Sequence, residues 1–168
     1  RAVGVSEEVI EAALQAFTGT WRRFERVGKA GNCEIISDYA HHPDGIRVTL
    51  QAAHEYYPNK KILTVFQPHQ HNRTKMLFQE FVEAFCKSKL NDFIIAEIFD
   101  VAGREELHDQ DVSSRDLVRE IKKCGKNVAY AADLDEVEHM ARERLANYDM
   151  IIFMGAGDIY KVANSLVK

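Results

Sequence analysis

Three short apolar runs, Ile62-Leu63-Thr64-Val65-Phe66, Phe93-Ile94-Ile95-Ala96 and Met150-Ile151-Ile152-Phe153, constrain the fold more than any other feature of the chain. None alternates with polar residues, so each has to be buried on both faces, as the strands of a parallel sheet are. Val128-Ala129-Tyr130 is a weaker fourth run. Between and beyond these runs, apolar residues recur at helical spacing over 46–56, 75–85, 114–123, 134–145 and 159–166. Ser114 and Asp133 stand at N-cap positions, and Gly125 at a helix stop. Strand and helix in alternation imply right-handed βαβ units and therefore an open α/β sheet flanked by helices.

The first third of the chain differs. Ser6 caps a helix with Glu7 and Glu8 in its first turn, and Val9, Ile10, Ala13, Leu14 and Phe17 form its apolar face up to a stop at Gly19. Residues 24–27 and 33–36 read as a hairpin around the glycine-rich turn 28–32, which adds antiparallel character. The 168 residues suit one domain with one core, without repeats or linkers. A formal net charge of -4 argues against nucleic acid as a partner. No apolar run approaches the roughly 20 residues of a spanning helix, so no membrane partner is expected. Cys33, Cys86 and Cys124 are odd in number, far apart and outside any CxxC pair, which predicts a reducing compartment and three small buried apolar side chains. The chain opens without methionine and enters a helical pattern almost at once, as a piece starting at a domain boundary does.

Four polar clusters fall at element junctions. Arg22-Arg23-Phe24-Glu25 offers guanidinium forks for phosphate or carboxylate. Asp38-Tyr39-Ala40-His41-His42-Pro43 follows a strand and places a carboxylate where it can meet ribose hydroxyls. Gln67-Pro68-His69-Gln70-His71-Asn72-Arg73-Thr74 packs polar groups between a buried strand and a helix. Gly155-Ala156-Gly157-Asp158 lets backbone approach a ligand or a neighbouring loop closely. The charged stretch 100–112 is a further loop at a strand's carboxyl end, where such sheets keep ligand contacts. Neither GxGxxG nor GxxxxGK[ST] occurs, so the chain has no phosphate-gripping loop of its own.

In this order and spacing, RRFE at 22–25, DYAHHP at 38–43, FQPHQHNRT at 66–74 and GAGDI at 155–159 resemble the C-terminal domain of the Mur ligases, over nearly all of the chain. The match is to the branch that joins L-alanine to UDP-N-acetylmuramate. The resemblance implies that residues 1–168 are one Rossmann-like domain of a cytoplasmic three-domain enzyme. The N-terminal sugar-nucleotide domain and the central ATPase domain would be its partners. ATP activates the substrate carboxylate as an acyl phosphate, which the amine of the amino acid attacks; ATP and magnesium are held mainly by the central domain. No catalytic residue is assigned to this domain, which should be inactive alone. Arg23 matches the family arginine that reaches the ATP phosphates, and Asp38 the aspartate near the ribose. Tyr39, His41 and Arg73 match positions near the amino acid and the sugar-linked carboxyl group. His69, Gln70, Gly155 and Gly157 are supporting, and no metal ligand is implied. Two departures matter: Gln70 stands where many relatives carry arginine, and Ala40 where they carry glycine.

Other readings make different demands. A related ligase that recycles murein tripeptide shares the DxAHHP type of segment but usually lacks FQPH. A metal-dependent hydrolase would need His41, His42, His69 and His71 to converge. A nucleotide-binding regulatory module would need tight binding by this chain alone.

Overall fold

The computed structural model describes residues 3–17, 19–100 and 111–168. Most of the expected charged loop, at 101–110, lies outside them. One six-stranded sheet organises the domain, in the order β1-β2-β6-β3-β4-β5. The strands are β1 (Glu25–Ala30), β2 (Cys33–Asp38), β3 (Ile62–Phe66), β4 (Asp92–Ala96), β5 (Asn127–Ala131) and β6 (Met150–Met154). Only β1 is antiparallel to its neighbour; β2, β6, β3, β4 and β5 run parallel. Every residue of β3 and β6 is buried, as their continuous runs, apolar but for Thr64, predict.

The helices are α1 (Glu7–Ala16), α2 (Pro43–Tyr56), α3 (His71–Met76), α4 (Phe78–Cys86), α5 (Ser114–Lys123), α6 (Leu134–Arg144) and α7 (Tyr160–Leu166). Ile46 and Leu50 of α2, Phe81 and Phe85 of α4, and Leu117 and Ile121 of α5 share one core cluster with Ile36, Phe66, Phe93 and Ile152. Val137 and Ala141 of α6 with Val162, Ala163 and Leu166 of α7 pack with Ile35, Val65, Ile94 and Phe153. The alternation of buried strand residues between these clusters makes a three-layer sandwich with helices on both faces.

Several expectations change in detail. The periodic stretch 75–85 divides into α3 and α4 at Leu77, whose N–H donates to Arg73 O at 2.9 Å. The hairpin turn shrinks to Gly31-Asn32, because Gly28 lies within β1 at a bulge opposite Ile35. Ser113, rather than Ser114, is the N-cap of α5: its backbone is extended and its N–H donates to Asp116 Oδ2 at 3.0 Å. Asp133 caps α6 as expected, accepting from Glu136 N–H at 2.8 Å, and Gly125, at φ +78°, ends α5. The cysteines are the larger correction. Only Cys33 is a buried thiol, whose pKa burial pushes up to about 11. Cys86 and Cys124 form a disulfide, since the β4–β5 pairing brings the ends of α4 and α5 side by side.

Helix α1 buries no residue. Val9, Leu14 and Phe17, with Trp21 beyond them, leave an apolar surface uncovered among the described residues.

Candidate functional site

Parallel strands end together, so the segments that follow β2, β3, β4 and β6 gather at one edge of the sheet. Three of the four polar clusters are such segments, and the fourth, 22–25, enters β1 beside the end of its antiparallel partner β2. The fold therefore brings all four together.

The two arginines of the first cluster separate. Arg22 is only 4% exposed and turns inward at φ +53°. Its Nη2 donates to Gly155 O and, at 3.0 Å, to Gly157 O. Its guanidinium lies 4.9 Å from the Tyr39 ring and 4.6 Å from the Tyr160 ring. Arg23 is exposed, with its guanidinium 5.5 Å from the same Tyr39 ring. Charge thus remains available at Arg23, whereas Arg22 fastens the glycine loop.

Asp38 ends β2 nearly buried. Its Oδ2 accepts from Phe24 N–H at 2.7 Å, and its Oδ1 from Ala40 N–H at 2.8 Å and Thr49 Oγ1 at 3.2 Å. The carboxylate fixes the chain's path on both sides of the edge. Arg23 and Asp38 line one cleft of about 510 Å³, whose walls include Phe24, Val48, Thr49 and Tyr57. Phe24 and Tyr57 stack at 6.2 Å. The two residues matched to ATP contacts therefore line one partly apolar cleft.

The remaining residues form a second group. Tyr39 and His41 meet edge to face at 5.1 Å, His41 lies 6.1 Å from His69, and His69 lies 5.5 Å from Phe99. His41 Nδ1 is 2.9 Å from Tyr39 O. Arg73, in the first turn of α3, places Nη1 3.5 Å from both His69 Nδ1 and His69 O. No carboxylate pairs with Arg73 among the described residues; Glu97 instead accepts from Tyr130 Oη at 2.6 Å. Burial lowers the pKa of His41 and of His69, and the positive charge of Arg73 lowers both further. Both rings are therefore neutral at physiological pH and leave Arg73 as the charge of this group.

Gln70 sits at the N-cap of α3 with φ +71°, and its carbonyl accepts from Thr74 N–H and Oγ1. Gly155 and Gly157 are required by packing. A Cβ on Gly155 would lie 2.8 Å from Gln67 O, and one on Gly157 2.7 Å from Gln67 Oε1 and from Phe99 Cγ. The four histidines proposed for a metal do not converge. Exposed His42 accepts from Asp44 N–H, and His71 pairs with Asp100. Among the described residues no three His, Cys, Asp or Glu side chains form a cation site.

Four further residues complete this edge: Arg22, Gln67 and Asp100, which lie in the stretches named from the sequence but were given no role of their own, and Phe99, which the sequence did not single out. Gln67 is buried and its Oε1 accepts from Ile159 N–H at 3.2 Å, tying the FQPH segment to the glycine loop. Asp100 accepts from His71 N–H at 3.1 Å. For Gln67, Phe99 and Asp100 the position after β3 and β4 was the available signal, because any residue just beyond a parallel strand reaches this edge.

Residues 22–157 match the family model described as Mur ligase, glutamate ligase domain. The chain is 42% identical over all 168 residues to UDP-N-acetylmuramate–L-alanine ligase of Lachnospira eligens, and covers 35% of that protein. It thus spans about a third of the length of the curated relatives it matches. Among solved structures, UDP-N-acetylmuramate-alanine ligase of Thermotoga maritima superposes with TM-score 0.76 at 27% identity, over 99% of this chain and 34% of that one. A murein peptide ligase of Psychrobacter arcticus shares the fold at TM-score 0.63 and 18% identity, over 98% of this chain and 33% of that one.

Proposed function

The chain belongs to the Mur ligase family, as its glutamate ligase domain, and from that premise we propose that it is the C-terminal part of an ATP-dependent ligase joining L-alanine to UDP-N-acetylmuramate. One observation carries the reading: at the sheet's carboxyl edge Arg73, which pairs with no carboxylate among the described residues, stands beside two neutral histidines, next to a partly apolar cleft lined by Arg23 and Asp38.

The ligase transfers the γ-phosphoryl group of ATP to the sugar-linked carboxylate, and the amine of alanine then attacks the acyl carbon and expels phosphate. Such a reaction needs the amine held close to the acyl group and its carboxylate kept away from it. Arg73 grips the alanine carboxylate, since a guanidinium holds both oxygens with parallel hydrogen bonds. Tyr39 and His41 form the wall beside the new peptide bond. His69 and Gln70 set the entry to α3. In the neighbouring cleft, Asp38 faces the ribose and Arg23 meets the phosphates. Gly155 and Gly157, fastened by Arg22 and Gln67, form the floor beneath both groups.

The site is half of one. Without a phosphate-gripping loop the domain does not turn over ATP alone, and the phosphates and magnesium belong to the central domain of the longer cytoplasmic protein. The uncovered apolar surface of α1 and Trp21 packs against that preceding part. The test is ADP release by the full-length protein with UDP-N-acetylmuramate, ATP and either L-alanine or murein tripeptide. The expected result is turnover with L-alanine, none with tripeptide, and none by the 168-residue domain alone. Preference for tripeptide, or ATP turnover by the domain alone, overturns the reading.

A further inference from the structure

On the side of the sheet away from this site, α4 ends at Cys86 and α5 is capped by Cys124, with the two Cα atoms 5.6 Å apart. Their proximity is a product of the fold and does not depend on the bridge. Phe85 and Ile121 are fully buried in one core cluster. Asp92 and Asn127 pair across β4 and β5, and Asn127 N–H donates to Asn91 O at 2.9 Å. Lys126 Nζ donates to Ser88 O at 2.7 Å and to Leu90 O at 3.0 Å, joining the turn after Cys86 to the turn after Cys124. With the bridge open, these contacts still hold the two sulfurs within reach of each other.

Access and charge differ between the cysteines. Cys124 is exposed, Cys86 is half-buried and Cys33 is fully buried. Lys87, Lys89, Lys122, Lys123 and Lys126 lie within three residues of Cys86 or Cys124; Lys87 pairs with Glu83 and Lys123 with Glu120, so the stretch around the pair keeps an excess of positive charge. Positive charge favours a thiolate over a thiol and attracts an anionic disulfide.

From this geometry we propose that Cys86 and Cys124 are a reversible thiol–disulfide site, closed by exchange with an anionic low-molecular-weight disulfide. The exposed Cys124 loses its proton to solvent and its thiolate attacks one sulfur of the small disulfide. A mixed disulfide forms and the first small thiolate leaves. The Cys86 thiolate then attacks Cys124 Sγ and expels the second small thiolate. Two protein sulfurs are oxidised by two electrons in all, and one small disulfide is reduced to two thiols. In a reducing compartment the same steps run backwards with the thiol pool. The bridge joins residues at a sequence separation of 38, and the segment it closes contains β4, Phe99 and Asp100. Its redox state therefore sets how firmly the wall behind His69 and His71 is held.

The test counts free thiols after denaturation in the reduced chain, before and after incubation with oxidised glutathione. The expected count falls from three to one, with Cys33 remaining and no glutathione retained. Cys86→Ser should trap one glutathione on Cys124, and Cys124→Ser should trap little on half-buried Cys86. Opening a loop of this length should lower the thermal midpoint of the parent by roughly 10 °C and leave the midpoint of either serine variant unmoved by reductant. Three thiols persisting in the parent, or no adduct on the Cys86→Ser variant, overturns the proposal. Equal midpoints for the oxidised and reduced parent remove the claim that the bridge holds the wall.

Discussion

Replacing Gly155 with alanine probes the floor of the site without touching any charged group. Two separate costs follow from the structure. Residue 155 has φ +152°, a conformation that side-chain-bearing residues rarely adopt, which costs about 1–3 kcal/mol. The new Cβ would also lie 2.8 Å from Gln67 O and 3.2 Å from Ile159 Cγ2. The nearest of these atoms is backbone, and it cannot swing aside. Gln67 N–H is bonded to Met154 O at 2.9 Å and Gly155 N–H to Asp38 O at 3.2 Å, which pins both segments. Overpacking of this kind adds about 1–3 kcal/mol. The sum, about 2–6 kcal/mol, corresponds to a fall in the thermal midpoint of roughly 4–24 °C for a chain of this size. Gly31→Ala supplies the internal standard. Gly31 also has positive φ, at +62°, but no atom lies within 4 Å of its Cβ position. It should cost only the conformational term, about 1–2 kcal/mol. Thermal denaturation followed by circular dichroism separates the two. A Gly155→Ala shift no larger than that of Gly31→Ala would refute the packing argument.

Other perturbations address the same edge. Arg22→Ala leaves the buried carbonyls of Gly155 and Gly157 without their donor and should destabilise the domain by about 2–4 kcal/mol in urea denaturation; Arg22→Lys should recover only part of this, and a neutral result for Arg22→Ala would show that the clamp is incidental. His41 and His69 have folded pKa values below the ordinary histidine value, so the unfolded chain binds their protons first. Their effect on stability is absent well above pH 6.5, grows as pH falls from about 6.5 to the folded values, and then levels off. The thermal midpoint should fall across that window, and a His41→Gln, His69→Gln double variant should flatten the profile; an equal slope in parent and variant would contradict the assignment.

The parallel sheet was legible because strands buried on both faces are apolar almost throughout, and residues 62–66, 93–96 and 150–153 hold a single polar side chain, Thr64. The separation of α3 from α4 was not, because the apolar positions at Leu77, Phe78, Phe81 and Phe85 stay in step across the break and neither glycine nor proline marks it. The four clusters of the site could be read as motifs, but their internal division of labour could not. Arg22 and Arg23 are adjacent and chemically identical, and what distinguishes them is a pair of carbonyls more than 130 residues away. The same holds for the cysteines. Nothing local to Cys86 or Cys124 announces a bridge, which follows from two parallel strands placing two helix ends together. Gly155 and Gly157 suggested close approach of backbone to a ligand or a loop; the structure shows the loop, through Gln67 and Phe99.

The most direct test of the proposed role of this edge is steady-state kinetics of the full-length protein with Arg73 replaced. If Arg73 grips the carboxylate of L-alanine, Arg73→Ala raises the KM for L-alanine about tenfold or more, equivalent to about 1.4 kcal/mol, while the KM for ATP stays near its parent value. Arg73→Lys keeps the charge but loses the fork, and should fall between the two. An unchanged KM for L-alanine in Arg73→Ala, measured at saturating ATP, would contradict the account.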